Sequence, residues 1–162
     1  MNEKNKKKYI NLDQARSDHQ RSVMEQIQKD DVCPFCSENL SKYHKNPILK
    51  EGKYWLLTKN QWPYENVKHQ LLAIHKTHIE HISELEPAAG SELIELFAWA
   101  TKEFNIPGGA VAIRFGSNPE LGNYGSSVLH LHAHLIEPDL ANPAGEKIKF
   151  KIGQPKEANK VS

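Results

Sequence analysis

Val128-Leu129-His130-Leu131-His132-Ala133-His134-Leu135-Ile136 decides how this chain is read. Apolar residues and histidines alternate through it without interruption. Read as a β-strand, with a rise of about 3.3 Å and a period of two, it lines three imidazoles along one face about 6.6 Å apart. Leu129, Leu131, Ala133 and Leu135 then fall on the opposite face, free to pack on a helix. On a helix the same spacing would scatter the histidines around the axis. Histidines can serve merely as the polar side of a half-exposed strand, but three in register with no other polar type point to a site. Spacing does not choose the chemistry. Two imidazoles at i and i+2 can chelate one metal; equally, one can act as nucleophile or base while its neighbours hold an anion.

Working outward, Pro138 to Gly145 turns the chain toward Lys147 to Ile152 (KIKFKI), which alternates like a strand. Upstream lie a loop from Gly116 to Gly125 and a strand pattern from Ala110 to Phe115. Ala88 to Phe104 carries Leu93, Ile94, Leu96, Phe97 and Ala100 at helical spacing, with Glu86-Pro87 before it and Pro107-Gly108-Gly109 after it. Lys53 to Lys59 and His69 to Ile74 read as strands, separated at Asn60 to Tyr64 because Pro63 cannot donate to a ladder. A polar, weakly amphipathic helix is expected around Asp13 to Gln28, preceded by a solvated tip with lysines at 4, 6, 7 and 8. Several strands with one or two helices indicate an α+β class. The expected division is an N-terminal, partly helical extension (1–30), a domain (31–153) and a flexible tail (154–162).

The composition bounds the function classes. A length of 162 residues suits one domain with a core that needs no disulfide staples. With 21 basic and 20 acidic residues the net charge is +1, which provides no global field for stable nucleic-acid or membrane-surface binding. No run approaches the ~20 apolar residues of a membrane span, the start lacks the apolar stretch of a secretory signal, and two cysteines exclude a disulfide scaffold. A cytoplasmic location is expected.

The run from His130 to Ile136 resembles the His-φ-His-φ-His-φ-φ motif, φ being apolar, of the histidine triad (HIT) family. Gly125-Ser126-Ser127-Val128 is similar to that family's Gly-Gln-Ser-Val lead-in, with Ser126 in place of the usual Gln. Asn60 through Tyr64, His69 to Ile74 and Lys76-Thr77-His78-Ile79 are similar to its two earlier strands and their loop, with His75 where a proline is common and Arg114 near where an Asn often lies. The resemblance spans roughly Cys33 to Ile152. It implies a HIT-like fold: an antiparallel sheet of about five strands with one long helix, here with an N-terminal helical extension, and commonly a homodimer.

Cys33-Pro34-Phe35-Cys36 spaces two thiolates for one tetrahedral ion. Spacing alone leaves His75, His78 and His81 equivalent as further ligands. Resemblance to the zinc-bearing HIT branch selects His78, with His130 as the fourth ligand, so the zinc would be structural. His44, His75 and His81 then read as surface histidines.

The resemblance also implies the chemistry. His132 would attack the α-phosphorus of a purine nucleotide conjugate to give a nucleotidyl-histidine that water hydrolyses. His134 and the Ser127 hydroxyl would hold phosphate oxygens or the leaving group. Gly125, Ser126 and Ser127 would line the phosphate, Asn60 would contact the ribose, and Trp62 would pack near the base or simply in the core. His134 stands where nucleotidyltransferases of the family tend to carry Gln, which leans toward hydrolysis. Alternatives are a dinucleoside polyphosphate phosphorylase or nucleotidyltransferase, and a nucleotide-binding regulatory module with incidental turnover. A metal hydrolase or oxygenase built on His-x-His would need a carboxylate in reach, and Glu137 belongs to the opposite face.

Overall fold

A computed structural model describes residues 8–156; the lysines at 4, 6 and 7 and the tail beyond residue 156 lie outside the described residues. Two helices come first, α1 (Asp18–Asp30) and α2 (Ser37–Tyr43). The hairpin β1 (Ile48–Glu51) and β2 (Trp55–Lys59) follows, then β3 (Val67–His75) and the long helix α3 (Pro87–Glu103). The remaining strands are β4 (Ala110–Ile113), β5 (Gly122–Asn123), β6 (His132–Pro138) and β7 (Gln154–Pro155). Five of them form one antiparallel sheet in the order β1-β2-β3-β6-β4, and β5 pairs with β7 apart from it. The α+β class and the strand number match the sequence reading.

One face of the sheet is the main core. Leu93, Leu96, Phe97 and Ala100 of α3 pack against Trp55, Leu57, Leu71, Ala73, Leu131, Ala133 and Leu135. Those strand residues alternate with the site-facing ones, so the period of two sorts core from chemistry. The Glu92 carboxylate ties helix to hairpin by accepting the backbone N–H groups of Lys53, Tyr54 and Trp55 at 2.6, 2.8 and 3.0 Å. Hydrogen bonds to a charged group contribute about 1.5–3 kcal/mol each. This contact explains Gly52, whose added Cβ would lie 2.4 Å from the Glu92 carboxylate. The other face is covered by the chain's N-terminal part. Leu40 of α2 packs with Leu72 and Ile74, while Met24 and Ile27 of α1 cluster with Ile10 and Tyr43.

Four sequence expectations change. The histidine strand begins at His132, not Val128, because the preceding stretch pairs with the N-terminal extension: Asn11 N–H donates to Ser127 O at 2.9 Å and Leu129 N–H to Tyr9 O at 2.7 Å. Lys147 to Ile152 is not a strand despite its alternation; Phe150 packs against Tyr64 and His134 instead, and the Lys151 carbonyl accepts from Arg114. The fifth strand is Ile48–Glu51, four residues with a register shift between Ile48 and Lys50, too short and irregular to show a period. Helix α1 starts later than expected, at the Ser17 cap whose side chain accepts from Gln20 N–H.

Candidate active site and metal clip

His132 and His134 project from β6 onto the face away from α3, both about 5 % exposed, with ring centroids 5.1 Å apart. Their tautomers follow from their partners. His132 Nδ1 lies 2.7 Å from the His130 carbonyl, an acceptor, so Nδ1 carries the proton and Nε2 keeps its lone pair. His134 is the reverse. Gln70 accepts the Tyr64 N–H through Oε1 at 2.7 Å, so its Nε2 donates to His134 Nδ1 at 3.1 Å. The proton of neutral His134 therefore sits on Nε2. One imidazole offers a lone pair and its neighbour an N–H. Both Nε2 atoms belong to residues lining a cavity of about 200 Å³.

Burial keeps both rings neutral. It pushes His132 down to about 4, against the pull of the His130 carbonyl and with help from the Arg114 charge. It pushes His134 well below its usual range, reinforced by His132, Arg114 and Arg16. Burial also lowers His44. The consequence for stability has a definite sign. A base held neutral in the fold takes up fewer protons than the unfolded chain between its folded value and about 6.5. Stability from His132, His134 and His44 is thus complete above pH 6.5 and is lost as pH falls, by about 1.4 kcal/mol for each pH unit by which burial lowers a group. The melting temperature should fall as pH drops below 6.5, and His134→Gln should flatten that dependence. A profile equally steep in His134→Gln contradicts the assignment.

The cavity is bounded by the sheet, by α1 and its lead-in, and by the segment before β6. Asn60, Trp62, Gly125, Ser127, His132 and His134 all line it. Ser126 is buried and is not among the lining residues. Asn60 Oδ1 accepts the Trp62 N–H at 3.0 Å, which fixes the turn. Trp62 is half-buried at the cavity wall, not in the core, with its ring 6.2 Å from His19. Gly125 has φ +97°, and a Cβ there would lie 2.8 Å from the Lys151 carbonyl, so no other residue fits without displacement.

His130 turns the other way. Cys33 and Cys36, from the loop between α1 and α2, meet His78 and His130 with all four donor atoms within 4.8 Å of one another. His130 Nδ1 lies 3.4 Å from Cys33 Sγ, 3.8 Å from Cys36 Sγ and 3.2 Å from His78 Nδ1, and Cys36 Sγ lies 3.5 Å from His78 Nδ1. A tetrahedral ion with N at about 2.0–2.1 Å and S at about 2.3 Å has edges of about 3.3–3.8 Å, which these four contacts match to about 0.1 Å. The second nitrogens agree. His130 Nε2 donates to the His75 carbonyl at 2.5 Å and His78 Nε2 to Glu80 Oε1 at 3.1 Å, leaving two Nδ1 lone pairs facing each other. That arrangement calls for a cation between them.

Two of the three expected surface histidines are buried. His44 bonds Thr58 Oγ1 at 2.8 Å, and His75 packs edge-on to Trp55 with Nδ1 2.9 Å from the Thr77 carbonyl; only His81 is exposed. Glu137 is buried on the α3 side, 2.6 Å from His69, out of reach of the triad.

No family model and no curated protein matches the chain. Solved structures do. A histidine triad nucleotide-binding protein from Candida albicans aligns over 78% of this chain and 85% of its own with a TM-score of 0.54 at 20% identity. The chain has the histidine triad fold. A histidine triad protein from Clostridium difficile aligns over 74% and 95% with a TM-score of 0.52 at 19% identity. A zinc-bound histidine triad protein from Mycobacterium smegmatis aligns over 74% and 81% with a TM-score of 0.51 at 22% identity. The lead-in to α1 contributes Ile10, Asp13, Gln14 and Arg16 to the cavity wall. Nothing in the residue pattern marks that role, since a single arginine in a polar stretch has no period to betray it. Gln70, Tyr64 and Phe35 also escape a reading by pattern; Phe35 meets His132 edge-on at 5.1 Å. A glutamine within the otherwise apolar run from Gln70 to Ile74 is the available signal.

Among the described residues, no helix is long and apolar enough to cross a membrane.

Proposed function

We propose that this protein is a histidine triad nucleotide phosphohydrolase acting at the α-phosphate of a purine nucleotide conjugate. The observation that carries the reading is the opposed tautomer pair: a lone pair on His132 Nε2 beside an N–H on His134 Nε2, both at one cavity. A phosphorus centre needs both, a nucleophile and a donor for the charge that builds on its oxygens.

In this reading His132 Nε2 forms a bond to the α-phosphorus as the bond to the leaving group breaks, and the bonding pair departs with that group. Nδ1–H faces the His130 carbonyl, which stabilises the positive charge that develops on the ring. His134 Nε2–H and the Ser127 hydroxyl hold phosphate oxygens, Gly125 lets the backbone approach them, and the Asn60 amide donates to the ribose. Water then attacks the phosphorus, releasing the monophosphate and restoring neutral His132. Cys33, Cys36, His78 and His130 would hold a zinc ion, which at a closed four-ligand site supplies rigidity and no chemistry.

The ligand class has a direct test. AMP should raise the melting temperature, because a ligand that binds only the folded state stabilises it by RT ln(1 + [L]/Kd), about 2.7 kcal/mol at a hundredfold excess over Kd. Asn60→Ala should shrink that shift. Thermal scans that respond to no purine nucleotide at millimolar concentration overturn the reading. A turnover panel of dinucleoside polyphosphates, nucleoside phosphoramidates and aminoacyl-adenylates, with and without phosphate as acceptor, separates hydrolysis from phosphorolysis.

A further inference from the structure

The row of rings continues past His134. Tyr64 stacks on it at 5.9 Å and 23°, and Phe150 meets it edge-on at 5.8 Å. Each of these rings carries a guanidinium. Arg16 lies 4.5 Å over Tyr64 and Arg114 lies 3.6 Å over Phe150. Their hydrogen bonds go to neutral acceptors. Arg114 donates to the Tyr64 hydroxyl and the Lys151 carbonyl, both at 2.9 Å, and Arg16 donates to the Trp62 carbonyl. No carboxylate pairs with either arginine among the described residues. Lys149 and Lys151 line the same cavity, where Asp13 is the one acid among the lining residues.

A chain with a net charge of only +1 has therefore set two guanidiniums without carboxylate partners on the rings that flank His134, while Lys149, whose ammonium lies 4.0 Å from Glu146, and Lys151 also line the cavity. The arrangement has an electrostatic cost, since Arg114 and Arg16 act on each other as like charges and both act on His134. An anion between the guanidiniums relieves that repulsion, and Arg forks match phosphate oxygens in geometry as well as charge. We propose that Arg16 and Arg114 form an anion subsite beside His134 that holds a second phosphate of the substrate. The protein then selects nucleotides whose α-phosphorus is linked to a further phosphate over those that release an alcohol or an amine.

This specificity rests on the His132–His134 reading of the site. As His132 Nε2 bonds to the α-phosphorus, the P–O bond to the bridging oxygen breaks. The electron pair leaves on that oxygen, and the departing phosphate gains one negative charge, which the two guanidiniums take up. No proton need move. An amine leaving group is served less well, because it must be protonated and a neutral imidazole donating from Nε2 is a weak acid. Arg16 comes from the lead-in to α1, so that N-terminal segment acts as a selectivity element.

The test is calorimetric titration of the full, zinc-loaded chain with AMP and with α,β-methylene-ADP, which carries a second phosphate and cannot be cleaved at the α-phosphorus. The analogue should bind at least about tenfold more tightly than AMP at low salt, as expected for charge-assisted bidentate contacts. Arg16→Gln and Arg114→Gln should each reduce that ratio, and the double variant should bring it close to one. If AMP binds and the analogue binds no better, the subsite is refuted while the nucleotide reading stands. A preference that survives in a double variant with a normal melting transition refutes it equally. If neither ligand binds, both proposals fall. The wild-type ratio needs no variant, so misfolding of a variant cannot rescue the idea.

Discussion

Replacing His132 with Asn is expected to lower turnover of a nucleotide substrate by about 10⁴-fold or more, the loss seen when a covalent step has no substitute nucleophile. The ring sits about 5 % exposed with its Nδ1–H on the His130 carbonyl and its face against Phe35. That setting aims Nε2 and keeps it deprotonated, since burial pushes the group down to about 4. Asn is polar and of similar reach but has no ring nitrogen to attack, so the chain should fold and still bind AMP. His134→Asn should cost less, because Ser127 and backbone donors remain to stabilise charge on the phosphate. Rapid quenching with α-labelled substrate should trap label on the wild-type protein and none on the His132 variant. Near-normal turnover in that variant, or label mapped to His134, rules out the mechanism.

Much of this site is legible in the sequence because strand alternation and motif spacing are local. The period of two in Leu131 to Leu135 by itself separates core from site, and Leu131, Ala133 and Leu135 do pack on α3. The Cys-x-x-Cys pair and the two histidines that the family resemblance selects come together within 4.8 Å. What escapes a sequence reading is non-local. His130 and His132 are two apart in sequence, yet the backbone leaves the strand between them because Tyr9 to Asn11 claims residues 127–129. That break lets His130 face the cysteines while His132 faces the cavity. Lys147 to Ile152 alternates like a strand, but its apolar member Phe150 is used against His134 and Tyr64 rather than in a sheet. His44 and His75 read as surface residues because their partners, Thr58 and the Thr77 carbonyl with Trp55, are set by register and turns. Arg16 belongs to the same class: its neighbours Tyr64 and Trp62 lie more than forty positions away.

The unmodified protein is expected to contain about one zinc per chain by elemental analysis, and the Cys33→Ser, Cys36→Ser double variant to contain none. The four ligands come from three separate stretches: the loop between α1 and α2, the turn after β3 and the approach to β6. Removing the ion unties the N-terminal layer from the sheet and leaves His78 and His130 with two lone pairs 3.2 Å apart. Metal binding at a structural site is folding free energy, but this chain also has the α3 core, so the variant should be destabilised rather than unfolded. Each kcal/mol lost should lower the melting temperature by roughly 2–4 °C in a domain of this size. Activity should fall as well, through one particular atom. The His130 carbonyl that accepts His132 Nδ1–H at 2.7 Å belongs to the residue whose ring would bind the ion. Loosening His130 therefore loosens the tautomer and aim of the nucleophile, lowering kcat more than it weakens AMP binding. Chelation of the wild-type protein should reproduce both effects in parallel, with stability and kcat declining together as metal is withdrawn. Turnover that vanishes on chelation while the melting curve stays unchanged would instead assign the metal to catalysis, and wild-type protein devoid of zinc would remove the clip altogether.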